Sequence, residues 1–203
     1  MIRYLVPLFA IGALMLGILL AISTLRPDAA GELQGGVLLS EPRPIRDFQL
    51  VDQSGKTFTQ ADLQGQWTAI FPGFTNCPDI CPTTLGVLRT AAEQLADAGS
   101  DWEIVFLTVD PQRDTPEALA QYVGYFSQDF VGLTGDKDGI GQLARDLSIA
   151  YQYTPTGDDS YTVDHTAAIV LVDPQGRVAG FLQPPFAPER LAADLRTAGA
   201  SQS

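Results

Sequence analysis

Trp67-Thr68-Ala69-Ile70-Phe71 is a continuous apolar and aromatic run, and beyond it Leu85, Leu88, Ala92 and Leu95 recur at helical spacing. The run reads as a buried strand and the periodicity as an amphipathic helix. The next run, Trp102 to Val109 with Ile104, Val105, Phe106 and Leu107, is again apolar along its length. That is the pattern of a strand covered on both faces in a parallel sheet. Strand, helix and buried strand in this order predict a right-handed β-α-β crossover. The first junction, Thr75-Asn76-Cys77-Pro78-Asp79-Ile80-Cys81-Pro82, contains both cysteines of the chain.

The rest extends this unit. Phe48, Leu50 and Val51, a turn at Gln53-Ser54-Gly55-Lys56, and Thr57-Phe58-Thr59 predict a hairpin before the core. A helix is expected from Pro82 to Ala98, capped at Gly99. Thr115-Pro116-Glu117 carries the N-cap and N1 signals of a second helix, with Leu119, Tyr122, Val123 and Phe126 on one face. A short strand near Phe130 to Leu133, a helix from Lys137 to Ile149, and a strand from Ala167 to Val172 follow. The turn Asp173-Pro174-Gln175-Gly176 leads into Arg177 to Leu182, and Pro188-Glu189 opens a last helix. The expected class is α/β: a thioredoxin-like mixed sheet flanked by helices, with an extra N-terminal β-hairpin.

Tyr4 to Leu25 carries no charged residue. At about 1.5 Å per residue, such a helix crosses a hydrocarbon core of about 30 Å. The apolar region of a cleaved signal peptide is shorter, about 7–15 residues. Residues 1–26 are therefore read as one N-terminal transmembrane helix, with a cleaved signal as the alternative. Residues 27–44, rich in Gly and Pro, read as a tether, and residues 45–203 as the folded domain. A short head and long tail favour an N-terminus in the cytoplasm and a domain in an oxidising compartment. With 24 acidic against 12 basic residues, the net charge is −12, which argues against nucleic acid as a partner.

Cysteines at i and i+4 lie one turn apart on one helix face. At a helix start, free amide groups and the macrodipole favour the thiolate, the form that binds soft metals and attacks disulfides. Two core cysteines or a structural disulfide are the plain alternative. The chain has one histidine, in Val163-Asp164-His165-Thr166. In a thioredoxin-like topology the loop before the Ala167 strand faces the cysteine loop, so Cys77, Cys81 and His165 are expected to converge. Two thiolates and an imidazole suit Cu(I), and the nitrogen also admits Cu(II), one ion per chain. Zinc would want a fourth ligand, which Asp79 or Asp164 could supply. Asp164 could instead orient His165 from outside the ligand set.

Three stretches carry a family resemblance: Gly73 to Leu85 around C-P-D-I-C-P, Val109-Asp110-Pro111-Gln112-Arg113-Asp114-Thr115-Pro116-Glu117, and Val163 to Ile169. The chain resembles the Sco/SenC family of copper-binding, thioredoxin-fold cytochrome c oxidase assembly proteins. The resemblance implies that Cys77, Cys81 and His165 are copper ligands. It also implies a metallochaperone that delivers copper to the binuclear centre of cytochrome c oxidase, or keeps its cysteines reduced. Implied partners are the oxidase's copper-bearing subunit, a copper donor protein and the membrane. The implied location is a bacterial-type inner membrane, single-pass, with the soluble domain in the periplasm. Phe74, where many members have Tyr, and Pro72 depart from the pattern beside the site. A thiol-disulfide oxidoreductase using Cys77 and Cys81 is the competing reading, although general oxidoreductases more often carry C-x-x-C. A peroxidase is a weaker one, since it needs a threonine placed differently from Thr75 and a positioned arginine.

Overall fold

The computed structural model describes Met15, residues 33–157 and residues 160–201. The expected membrane span, and the tether up to residue 32, lie outside the described residues apart from Met15. Among the described residues, no helix is long and apolar enough to cross a membrane. The compact unit described here is Leu33–Ser203.

The core is built around β4 (Trp67–Gly73), every residue of which is buried. It pairs in parallel with β5 (Trp102–Thr108), and β5 in parallel with β6 (Val131–Thr134). On its other side β4 pairs antiparallel with β9 (Ile169–Val172), and β9 with β10 (Arg177–Leu182). The predicted hairpin, β2 (Gln49–Asp52) with β3 (Thr57–Thr59), joins the far edge through β6. With β1 (Gly36–Pro44) at one edge, the sheet order is β1-β10-β9-β4-β5-β6-β2-β3. The β5-β4-β9-β10 centre, with its antiparallel β9–β10 pair, is the expected thioredoxin-like plan.

Among the described residues, four α-helices accompany the sheet: α1 (Ile80–Asp97), α2 (Pro116–Phe126), α3 (Lys137–Asp146) and α4 (Pro188–Ala200). Helix α1 crosses from β4 to β5 and packs on β5 and on α4. It buries Cys81, Leu85, Leu88, Ala91 and Leu95; the expected stripe holds at Leu85, Leu88 and Leu95, while Ala91 is buried and Ala92 only half-buried. The Thr115 side chain accepts a hydrogen bond from the Ala118 N–H, and Pro116 opens α2, as the cap signals require. Helix α3 ends before the expected Ile149 because Ser148 takes a left-handed conformation, φ 58°.

Two elements differ from expectation. Residues Gly36–Pro44, assigned to the tether on composition, form β1, which pairs antiparallel with β10. As an edge strand, β1 tolerates prolines that would break a central ladder, and its register shifts between Leu38 and Arg43. The folded unit therefore begins at Leu33 rather than Ile45. The second difference is an unpredicted hairpin, β7 (Tyr151–Gly157) and β8 (Ser160–His165), which forms a two-stranded sheet of its own. His165 ends β8, opposite Tyr151.

Candidate metal centre

The cysteine loop leaves the C-terminal end of β4. Gly73 is required there: a Cβ would stand 2.5 Å from the Phe106 ring and 2.9 Å from Cys81 Sγ. Without that atom the first turn of α1 lies against the strand end and Cys81 is fully buried. Cys77, 9 % exposed, is the sulfur-bearing residue nearer to solvent. Both cysteines are free. Burial is the main cause that pushes the Cys81 thiol well above the usual thiol range, while the Phe74 N–H and the neighbouring Cys77 act as smaller influences in opposite directions.

The histidine arrives from the other side. His165 Nε2 lies 3.7 Å from Cys81 Sγ, and Nδ1 lies 2.8 Å from the Thr166 carbonyl. A carbonyl only accepts, so Nδ1 carries the hydrogen and Nε2 presents its lone pair to the sulfur. Thr166 is itself fixed by Ala150, through its N–H at 2.9 Å and its hydroxyl. The imidazole stands edge-on to Phe74, with centroids 5.9 Å apart, and to Phe71 at 6.4 Å. Burial lowers the imidazole pKa below the ordinary histidine value, against smaller opposing effects of the Thr166 carbonyl and the Asp164 charge. A neutral ring with a directed lone pair is the donor form a metal takes.

Cys77, Phe74, Pro78, Ile80, Asp164 and His165 line one open cleft of about 210 Å³. The structure therefore puts Cys81 and His165 in contact and opens Cys77 onto the same cleft. Among the described residues, no three Cys, His, Asp or Glu side chains are already drawn together as a closed metal-holding group. A larger groove, about 280 Å³, is lined by Arg89, Glu93, Trp102 and Phe130 at the opposite end of β5. It holds neither cysteine nor the histidine, so the chemistry selects the smaller cleft.

Other expected participants are engaged elsewhere. The carboxylate of Asp164 accepts the Thr154 hydroxyl at 2.5 Å across the hairpin, so the carbonyl of Thr166 orients the ring instead. Asp79 is exposed and does not line the cleft. The Thr75 hydroxyl donates to Asp114 at 2.6 Å.

The Val109–Glu117 motif, without a clear role in the sequence, has one in the fold. Buried Asp114 accepts from the Thr75 N–H at 3.1 Å, the Thr75 hydroxyl and the Thr108 hydroxyl at 2.6 Å. It ties the cysteine loop to the end of β5. Buried Asp110 pairs with Arg113 and accepts the Tyr161 hydroxyl at 2.8 Å. Tyr153 donates to the Val109 carbonyl at 2.8 Å. Its run of charged residues after a buried strand was the available signal.

A thioredoxin-like α/β fold with one thiol and an imidazole on a cleft, and a second, buried thiol against that imidazole, defines a class of thiol- and metal-handling proteins. The SCO1/SenC family model matches residues 39–199, and the chain belongs to that family. A SCO2-like protein of Rickettsia felis is 36 % identical over 172 residues, 84 % of this chain and 82 % of that protein. Bradyrhizobium japonicum ScoI, solved with copper bound, superposes with a TM-score of 0.69 at 38 % identity, covering 74 % of this chain and 96 % of that one. Yeast Sco1 with copper bound gives a TM-score of 0.74 at 30 % identity, covering 80 % and 91 %.

Proposed function

We propose that this chain is a membrane-anchored copper-binding protein that helps to assemble the binuclear copper centre of cytochrome c oxidase, with Cys77, Cys81 and His165 as its copper ligands. The observation that carries the reading is the contact of His165 Nε2 with Cys81 Sγ, with Nδ1 committed to the Thr166 carbonyl. A ring locked in one tautomer beside a soft sulfur, with a second thiol on the same cleft, fits Cu(I) and admits Cu(II). Copper here is cargo, taken from a donor protein and passed to the oxidase's copper-bearing subunit. Cys81 and His165 hold their places from below. Cys77, at the cleft, is the group a partner reaches first. The anchor is residues 1–26, and the domain faces the periplasm from a bacterial-type inner membrane.

A second reading, reduction of the partner's cysteines, is compatible with the same pair. Cys77 thiolate would attack the partner's disulfide, and Cys81 would displace the partner by closing the Cys77–Cys81 disulfide. Two electrons and two protons then reach the partner's thiols, and an external thiol restores the pair. The raised Cys81 thiol suits the resolving role rather than the attacking one.

Titration of the reduced full chain in detergent with Cu(I) and Cu(II) separately tests the proposal. One copper per chain in each state, with sulfur-to-Cu(II) charge-transfer absorption, is expected. No specific copper binding, with a Cys77–Cys81 disulfide that exchanges readily with a protein dithiol, would replace it with the oxidoreductase reading.

A further inference from the structure

The β7–β8 hairpin that carries His165 lies outside the main sheet. A two-stranded hairpin is marginal alone, so its placement depends on its own packing through Val163 and its tyrosines and on side chains reaching it from elsewhere. Arg113, in the loop between β5 and α2, makes the most extensive of these contacts. Its Nη1 donates to the Tyr161 carbonyl at 3.0 Å, and its Nε donates to buried Asp110. The guanidinium carbon sits 4.0 Å from the centroid of the Tyr161 ring and 5.6 Å from that of Phe74. Tyr161 stands on β8, the strand His165 ends, and its hydroxyl returns to Asp110. Phe74 is the ring against which the imidazole stands, three residues before Cys77. One planar cation therefore touches both the strand that delivers the imidazole and the aromatic wall rooted in the cysteine loop. The next residue, Asp114, holds Thr75 of that loop.

The geometry points to Arg113 as the positioning residue that holds the imidazole half of the site in register with the dithiol half. It touches neither sulfur nor the imidazole nitrogen directed at Cys81. It acts through Tyr161 and Phe74. A lysine cannot reproduce the role, because only the planar guanidinium stacks on an aromatic face while donating in its own plane to Asp110 and to a carbonyl. The copper arm of the test rests on the function proposed above; the metal-free arm does not.

The single histidine makes the test direct. Full chain labelled with [15N]histidine gives one imidazole spin system. In the metal-free chain it is expected to show the Nδ1–H tautomer and a slowly exchanging Nδ1 proton. In Arg113→Met and in the milder Arg113→Lys, the ring nitrogens are expected to shift toward a mixture of tautomers, with faster proton exchange. Cu(II) affinity is expected to fall about 10–100-fold, the usual cost of removing an outer support of a metal ligand, while Cu(I) affinity changes far less. Tyr161→Leu should reproduce the pattern and Tyr161→Phe, which keeps the ring, largely escape it. Unchanged ring signals and an unchanged Cu(II)-to-Cu(I) preference in Arg113→Lys would overturn the assignment. Equal loss of both copper states in step with unfolding would also overturn it, by making Arg113 a general stabiliser. Altered ring signals in a chain whose parent binds no copper would uphold the clamp and remove the copper reading.

Discussion

The cysteine loop and the histidine hairpin meet at one cleft, but the first is embedded in the core, whereas the second reaches it through buried Val163 and the half-buried rings of Tyr151, Tyr153 and Tyr161. Cys81 is fully buried beneath the end of β4, whose seven residues are all buried between β5 and β9. Moving that sulfur means moving packed side chains, which resist displacement. The hairpin, in contrast, exposes Pro155, Thr156 and Gly157, and is held through Arg113, Tyr153 and Tyr161. Contacts of that kind are worth about 0.5–1.5 kcal/mol each. The sulfur half is thus set by close packing, and the nitrogen half by fewer buried side chains together with the clamp of Arg113 contacts. Sulfur alone serves Cu(I), and the imidazole makes Cu(II) acceptable, so the clamp is where preference between the two states can change without rebuilding the core.

Substitutions that strike one half sharpen the contrast. Cys81→Ala should abolish specific binding of both copper states while the chain stays folded, measured by titration beside circular dichroism. Asp114→Ala strikes the foundation of the cysteine loop. It leaves the Thr75 N–H, the Thr75 hydroxyl and the Thr108 hydroxyl without their acceptor. At about 1–3 kcal/mol per unsatisfied buried group, a loss of about 3 kcal/mol or more is expected in urea unfolding. A loss under about 1 kcal/mol would show that the loop is held in another way.

The two halves also differ toward protons. Burial raises the Cys81 thiol, so in the metal-free chain at neutral pH that sulfur is protonated, and copper bound as proposed would displace its proton. Burial lowers His165, so the imidazole is already neutral, and a proton would compete with copper for it only below the ordinary histidine range. Apparent copper affinity should therefore rise with pH across the neutral range, about tenfold per pH unit for each proton displaced. Calorimetry in two buffers of different ionisation enthalpy counts those protons. In His165→Ala titrated with Cu(I), that proton release should persist at pH 7, because the imidazole is already neutral there.

Asp164→Asn is the smallest change. Its carboxylate is spent on Thr154, so the ring keeps its Thr166 partner, and copper affinity should move by less than about threefold, well below the usual cost of losing an outer-shell partner. A drop of 10-fold or more would return Asp164 to the orienting role that its position beside His165 implied.

The same contrast explains what the sequence made legible. β4, the cysteine junction and α1 follow from an apolar run and a 3.6-residue period, signals that burial on both faces imposes. The hairpin leaves no such trace: Tyr151–Gly157 is half-exposed without strict alternation and has a proline inside it. β1 was hidden for a related reason, since an edge strand admits the prolines that made it read as a tether. The residues that orient His165 were hidden too. A backbone carbonyl, Thr166, has no sequence signature, and Arg113 acts through rings remote in the chain. Histidine and cysteines could still be paired from the fold plan, because topology alone brings the two loops together.

The most direct measurement is a paired titration of Cys77→Ala and His165→Ala with Cu(I) and Cu(II), each beside a thermal melt. The account predicts that Cys77→Ala loses both states and the sulfur-to-Cu(II) absorption. It predicts that His165→Ala retains its fold and most of its Cu(I) affinity but loses tight Cu(II) binding. Tight Cu(II) binding retained by His165→Ala would contradict the three-ligand site.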